Sequence, residues 1–142
     1  MNTNLPIRTL LAEPKTTEHI RSEEALRKHG RFSLISSVDN GLSALDCLHE
    51  EKIDLLLMDL LMPQMDGLGV LHELQEMPKE DRPVVILLTP VISELILKEA
   101  FRLGAVYAIS KPFSPGDIAD RVFNIYAIAC SQEQEENKGI LI

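Results

Sequence analysis

Ile53-Asp54-Leu55-Leu56-Leu57-Met58-Asp59-Leu60-Leu61-Met62-Pro63-Gln64-Met65-Asp66-Gly67 is the stretch whose reading decides the fold of this chain. Its first six residues form a short apolar run of the kind that makes a strand covered on both faces. The run stops at a carboxylate. Pro63 then sets a turn, and Asp66-Gly67 turns the chain into the next helix. In an open α/β sheet the site lies outside the carboxyl ends of the strands. Asp59 is therefore the leading candidate for the functional residue.

Working outward, the same cadence of apolar run and helical segment recurs on both sides. Residues 7–12 make a first run, followed by a polar helix over about 15–29 with Gly30 in the position of a C-cap. Residues 32–38 make the second, ended by Asp39-Asn40-Gly41, after which Leu42, Leu45 and Leu48 recur at helical spacing. The third is 53–58, with a helix over about 68–77. The fourth, 83–88, precedes a helix over about 92–103, closed by Gly104. The fifth, 106–109, leads to a last helix that begins after Ser114-Pro115 and is expected to end near Ala129. Five strands alternating with five helices predict a (βα)5 three-layer sandwich with right-handed crossovers, a flavodoxin-like α/β fold. The expected order of its parallel sheet is 2-1-3-4-5, which opens a crevice between the ends of strands 1 and 3. Glu13 and Asp59 should face each other across it.

The totals agree with one soluble domain. The chain has 142 residues, 45% hydrophobic and 25% charged, which is ordinary for a globular protein. Its formal net charge of -8 argues against direct nucleic-acid contact, which is built from clustered Lys and Arg. Cys47 and Cys130 form no metal-ligand pattern and read as reduced, buried thiols. No signal peptide and no run long enough to cross a membrane is evident, so a cytoplasmic location is expected. That domain is expected to occupy residues 1–130, and 131–142 read as a mobile acidic tail or the start of a linker. The four histidines, at 19, 29, 49 and 72, show no metal-ligand spacing and read as solvated.

Four polar features fall at successive strand ends: Glu13, Asp59, Thr89 and Lys111-Pro112. With Met58-Asp59-Leu60-Leu61-Met62-Pro63-Gln64-Met65-Asp66-Gly67, Leu87-Leu88-Thr89, Gly104-Ala105 and Lys111-Pro112-Phe113 in this order, the chain resembles response regulator receiver domains over roughly residues 5–130. Within them it is most similar to the receiver of the stage-zero sporulation regulator of endospore-forming bacteria, through Asp66-Gly67-Leu68, Val70-Leu71 and Gly104-Ala105-Val106-Tyr107. The resemblance implies that Asp59 accepts a phosphoryl group from a sensor histidine kinase or phosphotransferase, to control a transcriptional output. It implies a signalling protein rather than an enzyme, since at most it catalyses its own phosphorylation. Lys111 would supply a fixed positive charge, Thr89 a hydroxyl for a phosphoryl oxygen, and Mg²⁺ would be held by Glu13, Asp59 and the Leu61 carbonyl.

Three positions depart from the family pattern. Pro14 stands where a second acid usually binds the metal, so Mg²⁺ binding is expected to be weakened. Ala108 replaces the aromatic that usually reports phosphorylation, and the neighbouring Tyr107 should point to the other face of its strand. Pro90 replaces the usual small residue and restricts Thr89 to extended backbone. These changes support an alternative, a phosphorylation-independent interaction module. Apolar excess on the fourth and fifth helices, beyond one buried stripe, predicts a homodimer or partner surface there. A phosphatase on this fold is disfavoured, because Leu61 stands where its second acid would be needed.

Overall fold

The computed structural model describes residues 5–91 and 93–137. In chain order the elements are β1 (Ile7–Ala12), α1 (Thr17–His29), β2 (Phe32–Val38), α2 (Gly41–Glu50), β3 (Leu55–Met58) and α3 (Gly67–Leu74). A 3₁₀ turn (Lys79–Asp81) precedes β4 (Val84–Thr89), α4 (Glu94–Arg102), β5 (Ala105–Ser110) and α5 (Pro115–Asn137). The five strands form one parallel sheet in the expected order β2-β1-β3-β4-β5. Apolar runs made these strands, and local signals ended the helices. Gly30 closes α1 at φ 85°, a left-handed position that glycine adopts without a Cβ penalty.

Side chains that alternate along each strand divide the core between two layers. Leu10, Leu56, Met58 and Leu87 pack toward α2, α3 and α4, against Leu45, Leu48, Val70, Leu71 and Ala100. Leu11, Leu55, Leu57, Ile86, Leu88 and Ile109 pack on the other face, toward Leu26 of α1 and Ile118, Val122 and Tyr126 of α5. All four residues of β3 are buried, which makes it the axis of the sheet. Each fully buried leucine contributes about 1.5–3 kcal/mol. This is what holds the carboxyl end of β3, and Asp59 with it, in a fixed place.

Two expectations fail outside the sheet. The last helix does not stop near Ala129 but continues through Asn137. Residues 130–137 carry no glycine or proline, and their Gln and Glu are good helix formers, so nothing ends the helix there. The apolar segment 140–142 expected at the tail, like Ile92 at the start of the fourth helix, lies outside the described residues. His29 is not solvated either. Its ring lies 5.2 Å from that of Phe32 and 5.6 Å from that of Phe123, and its Nε2 is 2.9 Å from Asp120 Oδ1, so it joins the end of α1 to α5.

Candidate functional site

Asp59 follows directly on β3, and it is only 4% exposed. Its backbone N–H donates to Ala12 O across the β1–β3 seam, which fixes the residue at the crevice. The Leu61 N–H donates to Asp59 Oδ1 at 3.0 Å, and the Lys111 ammonium donates to Asp59 Oδ2, also at 3.0 Å. Both carboxylate oxygens are thus aimed by named donors. Glu13 follows β1, is fully buried, and its Oε2 forms an ion pair with Lys111 Nζ at 2.5 Å. That contact is close but not a well-aligned hydrogen bond, and Glu13 Oε1 has no hydrogen-bond partner among the described residues. Thr89 ends β4, is buried, and its Oγ1 accepts the Val91 N–H at 3.2 Å across Pro90. Of the residues expected at the site, Glu13 and Asp59 therefore both contact Lys111. Thr89 ends the strand beside β3, its hydroxyl turned back onto its own loop.

The loop that carries Asp59 is held from two sides. Asp66 caps α3 by accepting the Gly69 N–H at 2.8 Å, and the Gly67 N–H donates to Leu60 O at 2.9 Å. Asn40 caps α2 in the same way, accepting the Ser43 N–H at 2.8 Å. The Gly41 N–H at the start of α2 donates to Met65 O at 3.1 Å, tying α2 to this loop.

A cavity of about 260 Å³ opens above Asp59 and Lys111, rimmed by Pro14, Thr16, Glu18, Pro90 and Pro112. Glu18 was not singled out in the sequence. Its Oε2 is 3.7 Å from Lys111 Nζ, and its side chain is about half exposed. The available signal was its place in the first turn of α1, one turn beyond Pro14.

His19 corrects the reading of the histidines as solvated. It is 2% exposed, its Nδ1 lies 2.9 Å from the Glu13 carbonyl, and its Nε2 meets Ser37 Oγ at 2.6 Å and Glu23 Oε1 at 2.9 Å. Ser37 Oγ–H donates to Glu23 Oε1 at 2.5 Å. This bond is the main reason the Glu23 carboxyl lies below the ordinary 4.5, opposed by partial burial and assisted by His19. A polar knot of α1 and β2 thus anchors the turn that carries Glu13. His49 and His72 are exposed as expected.

Burial alone would pull the Lys111 ammonium down, but Glu13 and Asp59 outweigh it, and the net shift is upward from 10.5. The stability from these contacts is complete below 10.5 and is lost as pH rises through the higher folded-state value. Burial also pushes Cys130 up from 9.0 and Tyr126 up from 10.0, with the same sign. Urea-unfolding midpoints should therefore fall as pH rises beyond 9.0. A midpoint that holds level or rises above pH 10.5 would contradict this account.

The chain matches a known family over most of its length. Residues 12–123 match the family model of the response regulator receiver domain. Among solved structures, the chain is similar to the signal receiver domain of the putative response regulator NarL from Mycobacterium tuberculosis. That pair is 22% identical with a TM-score of 0.78, covering 87% of this chain and 98% of that one. The receiver domain of a putative Luxo repressor protein from Vibrio parahaemolyticus is 23% identical with a TM-score of 0.78, over 93% and 98%. The response regulator domain of Thermotoga maritima CheB is 24% identical with a TM-score of 0.74, over 87% and 96%.

Receiver domains generally bind Mg²⁺ in this pocket, but the donors of this chain do not fit such an ion. Among the described residues no three His, Cys, Asp or Glu side chains are grouped so as to hold a metal. Pro14 offers no side-chain oxygen, and the two buried carboxylates both face the Lys111 ammonium.

Proposed function

Because the chain belongs to the response regulator receiver domain family, we propose that within a two-component system its Asp59 accepts a phosphoryl group from the phosphohistidine of a sensor kinase or phosphotransferase. The observation that carries this reading is the 3.0 Å contact of Lys111 Nζ with Asp59 Oδ2 in a buried pocket open to solvent on one side. In the transfer an Asp59 oxygen forms a bond to phosphorus as the phosphorus–nitrogen bond to imidazole breaks, and the imidazole nitrogen takes up a proton. Lys111 offsets the charge on the equatorial oxygens. The Thr89 hydroxyl then has an anion to donate to, which draws the β4–α4 loop inward.

The test is intact mass after exposure to a small phosphodonor or a phosphorylated histidine phosphotransferase, each with and without Mg²⁺. Gain of one phosphoryl group, mapped to the peptide that contains Asp59, is the expected result. No gain with any donor would overturn the proposal. The alternative of a phosphorylation-independent module rests on Pro14, Pro90 and Ala108, and no contact at the site favours it over the acceptor reading.

The output surface we assign to α4, β5 and α5, either between two copies or against a partner. Leu95 is 80% exposed, and Ile96 and Phe101 of α4, Val106 and Tyr107 of β5 and Ile128 of α5 are exposed as well. The contribution of α5 is smaller than its composition suggested, because Ile118, Val122 and Tyr126 are spent on the core. A transcriptional output, and sporulation in particular, rests on the resemblance carried by residues 66–71 and 104–107.

A further inference from the structure

We infer that Lys111 is the resident cation of this pocket and stands in for the divalent metal that the donor set does not fit. Glu13 and Asp59 are both buried, and two carboxylates withdrawn from water require a countercharge at contact distance. Lys111 is the basic side chain that meets them, at 2.5 Å and 3.0 Å, and it is itself only 8% exposed. Among the described residues no other basic group is paired with either acid. The three groups together carry a formal charge of -1, with Glu18 at 3.7 Å on the rim.

An incoming divalent cation would have to approach the ammonium closely while gaining no side-chain oxygen from Pro14. Repulsion between two cations sharing the same two carboxylates then offsets most of what the carboxylates could return. In the wild-type protein the ion therefore has little to gain. Remove the ammonium, and two buried carboxylates are left without a counterion, so a divalent cation becomes the favourable substitute. The inference does not depend on phosphorylation of Asp59. It concerns the charge balance of the unphosphorylated pocket and is read by unfolding, so its failure and the failure of the acceptor reading are separate results.

The experiment is thermal unfolding of the wild type, Lys111→Met, Lys111→Arg and Pro14→Asp in Na⁺ alone and with millimolar Mg²⁺ or Mn²⁺ at matched ionic strength. The wild type should show no divalent-specific shift of Tm. Lys111→Met should lose roughly 10 °C in Na⁺ and regain part of it with Mg²⁺ or Mn²⁺. Lys111→Arg, which keeps the charge, should remain insensitive to the metal, and Pro14→Asp should gain a metal-dependent rise. Direct Mn²⁺ binding to the wild type, followed by electron paramagnetic resonance, keeps the inference open to refutation if Lys111→Met does not fold. A wild-type Tm that rises with Mg²⁺ as much as that of Pro14→Asp, saturable Mn²⁺ binding by the wild type, or a Lys111→Met variant as stable as the wild type would each overturn it.

Discussion

Asp59→Asn should abolish phosphoryl uptake altogether while leaving the domain folded. Asparagine keeps the size of the side chain and an oxygen to accept the Leu61 N–H, so the loop retains its anchor. It removes the anionic oxygen that would attack phosphorus, and among the described residues no other carboxylate has the same placement. Glu13 is sealed at 0% exposure and Glu18 stands on the rim. The substitution also deprives Lys111 of one of its two close partners, leaving the ion pair with Glu13 at 2.5 Å. Intact-mass measurement with the donor that labels the wild type should show no gain, and urea unfolding should still show one cooperative transition. A labelled Asp59→Asn protein would mean that the acceptor is elsewhere.

The largest effect on stability is expected from Gly41→Ala. A Cβ built at Gly41 would lie 2.2 Å from Met65 O and 2.8 Å from Met65 C and Cβ, so it would meet backbone rather than a flexible side-chain end. The residue also donates its N–H to that same carbonyl, and separating the two segments breaks the bond. Overpacking with loss of this hydrogen bond should cost about 2–4 kcal/mol. The displaced segment is the β3–α3 loop, so the damage should reach the site. Equilibrium urea unfolding measures the first effect, and the rate of phosphoryl uptake by the folded fraction measures the second. A variant within about 0.5 kcal/mol of the wild type would show that the loop yields freely. Gly67, whose Cβ would meet Asp59 O and Leu60 Cα at 2.8 Å, is a milder case of the same closeness.

The strands were legible because each is a short run rich in apolar residues and bounded by a turn residue, with Arg8 and Thr9 in β1 and three serines in β2 as the polar interruptions. Residues 7–12 and 32–38 have in the structure the limits their sequence suggests, whereas β3 begins two residues later than expected, after Ile53-Asp54. Glu13, Asp59, Thr89 and Lys111 were legible for the same reason, since a polar residue that ends a buried run has only the sheet edge to occupy. His19 was not. One buried polar side chain on an otherwise polar helix has no periodic signature, and its partners Ser37 and the Glu13 carbonyl are brought to it only by the packing of α1 on the β1–β2 edge. Glu18 carries no distinct signal in the sequence, because a first-turn acid ordinarily serves the helix dipole and its nearness to Lys111 depends on how α1 is seated. α5 runs past its expected end because the helix propensity of its Gln and Glu prevails over the acidic polar composition that suggests a tail.

Pro14, Pro90 and Pro112 around the mouth of the cavity have a consequence for how an anion arrives. Proline has no N–H, so the rim is mute at three points where a backbone could otherwise have greeted a phosphate with directional bonds. Away from Thr16, an entering anion meets little but the potential of the pocket until it reaches Lys111 on the floor. That potential is set by a chain of net charge -8, with Glu18 at the threshold. A small free anion should thus enter slowly in dilute salt and faster with screening, and a phosphate carried by a protein with its own positive surface should be less hindered.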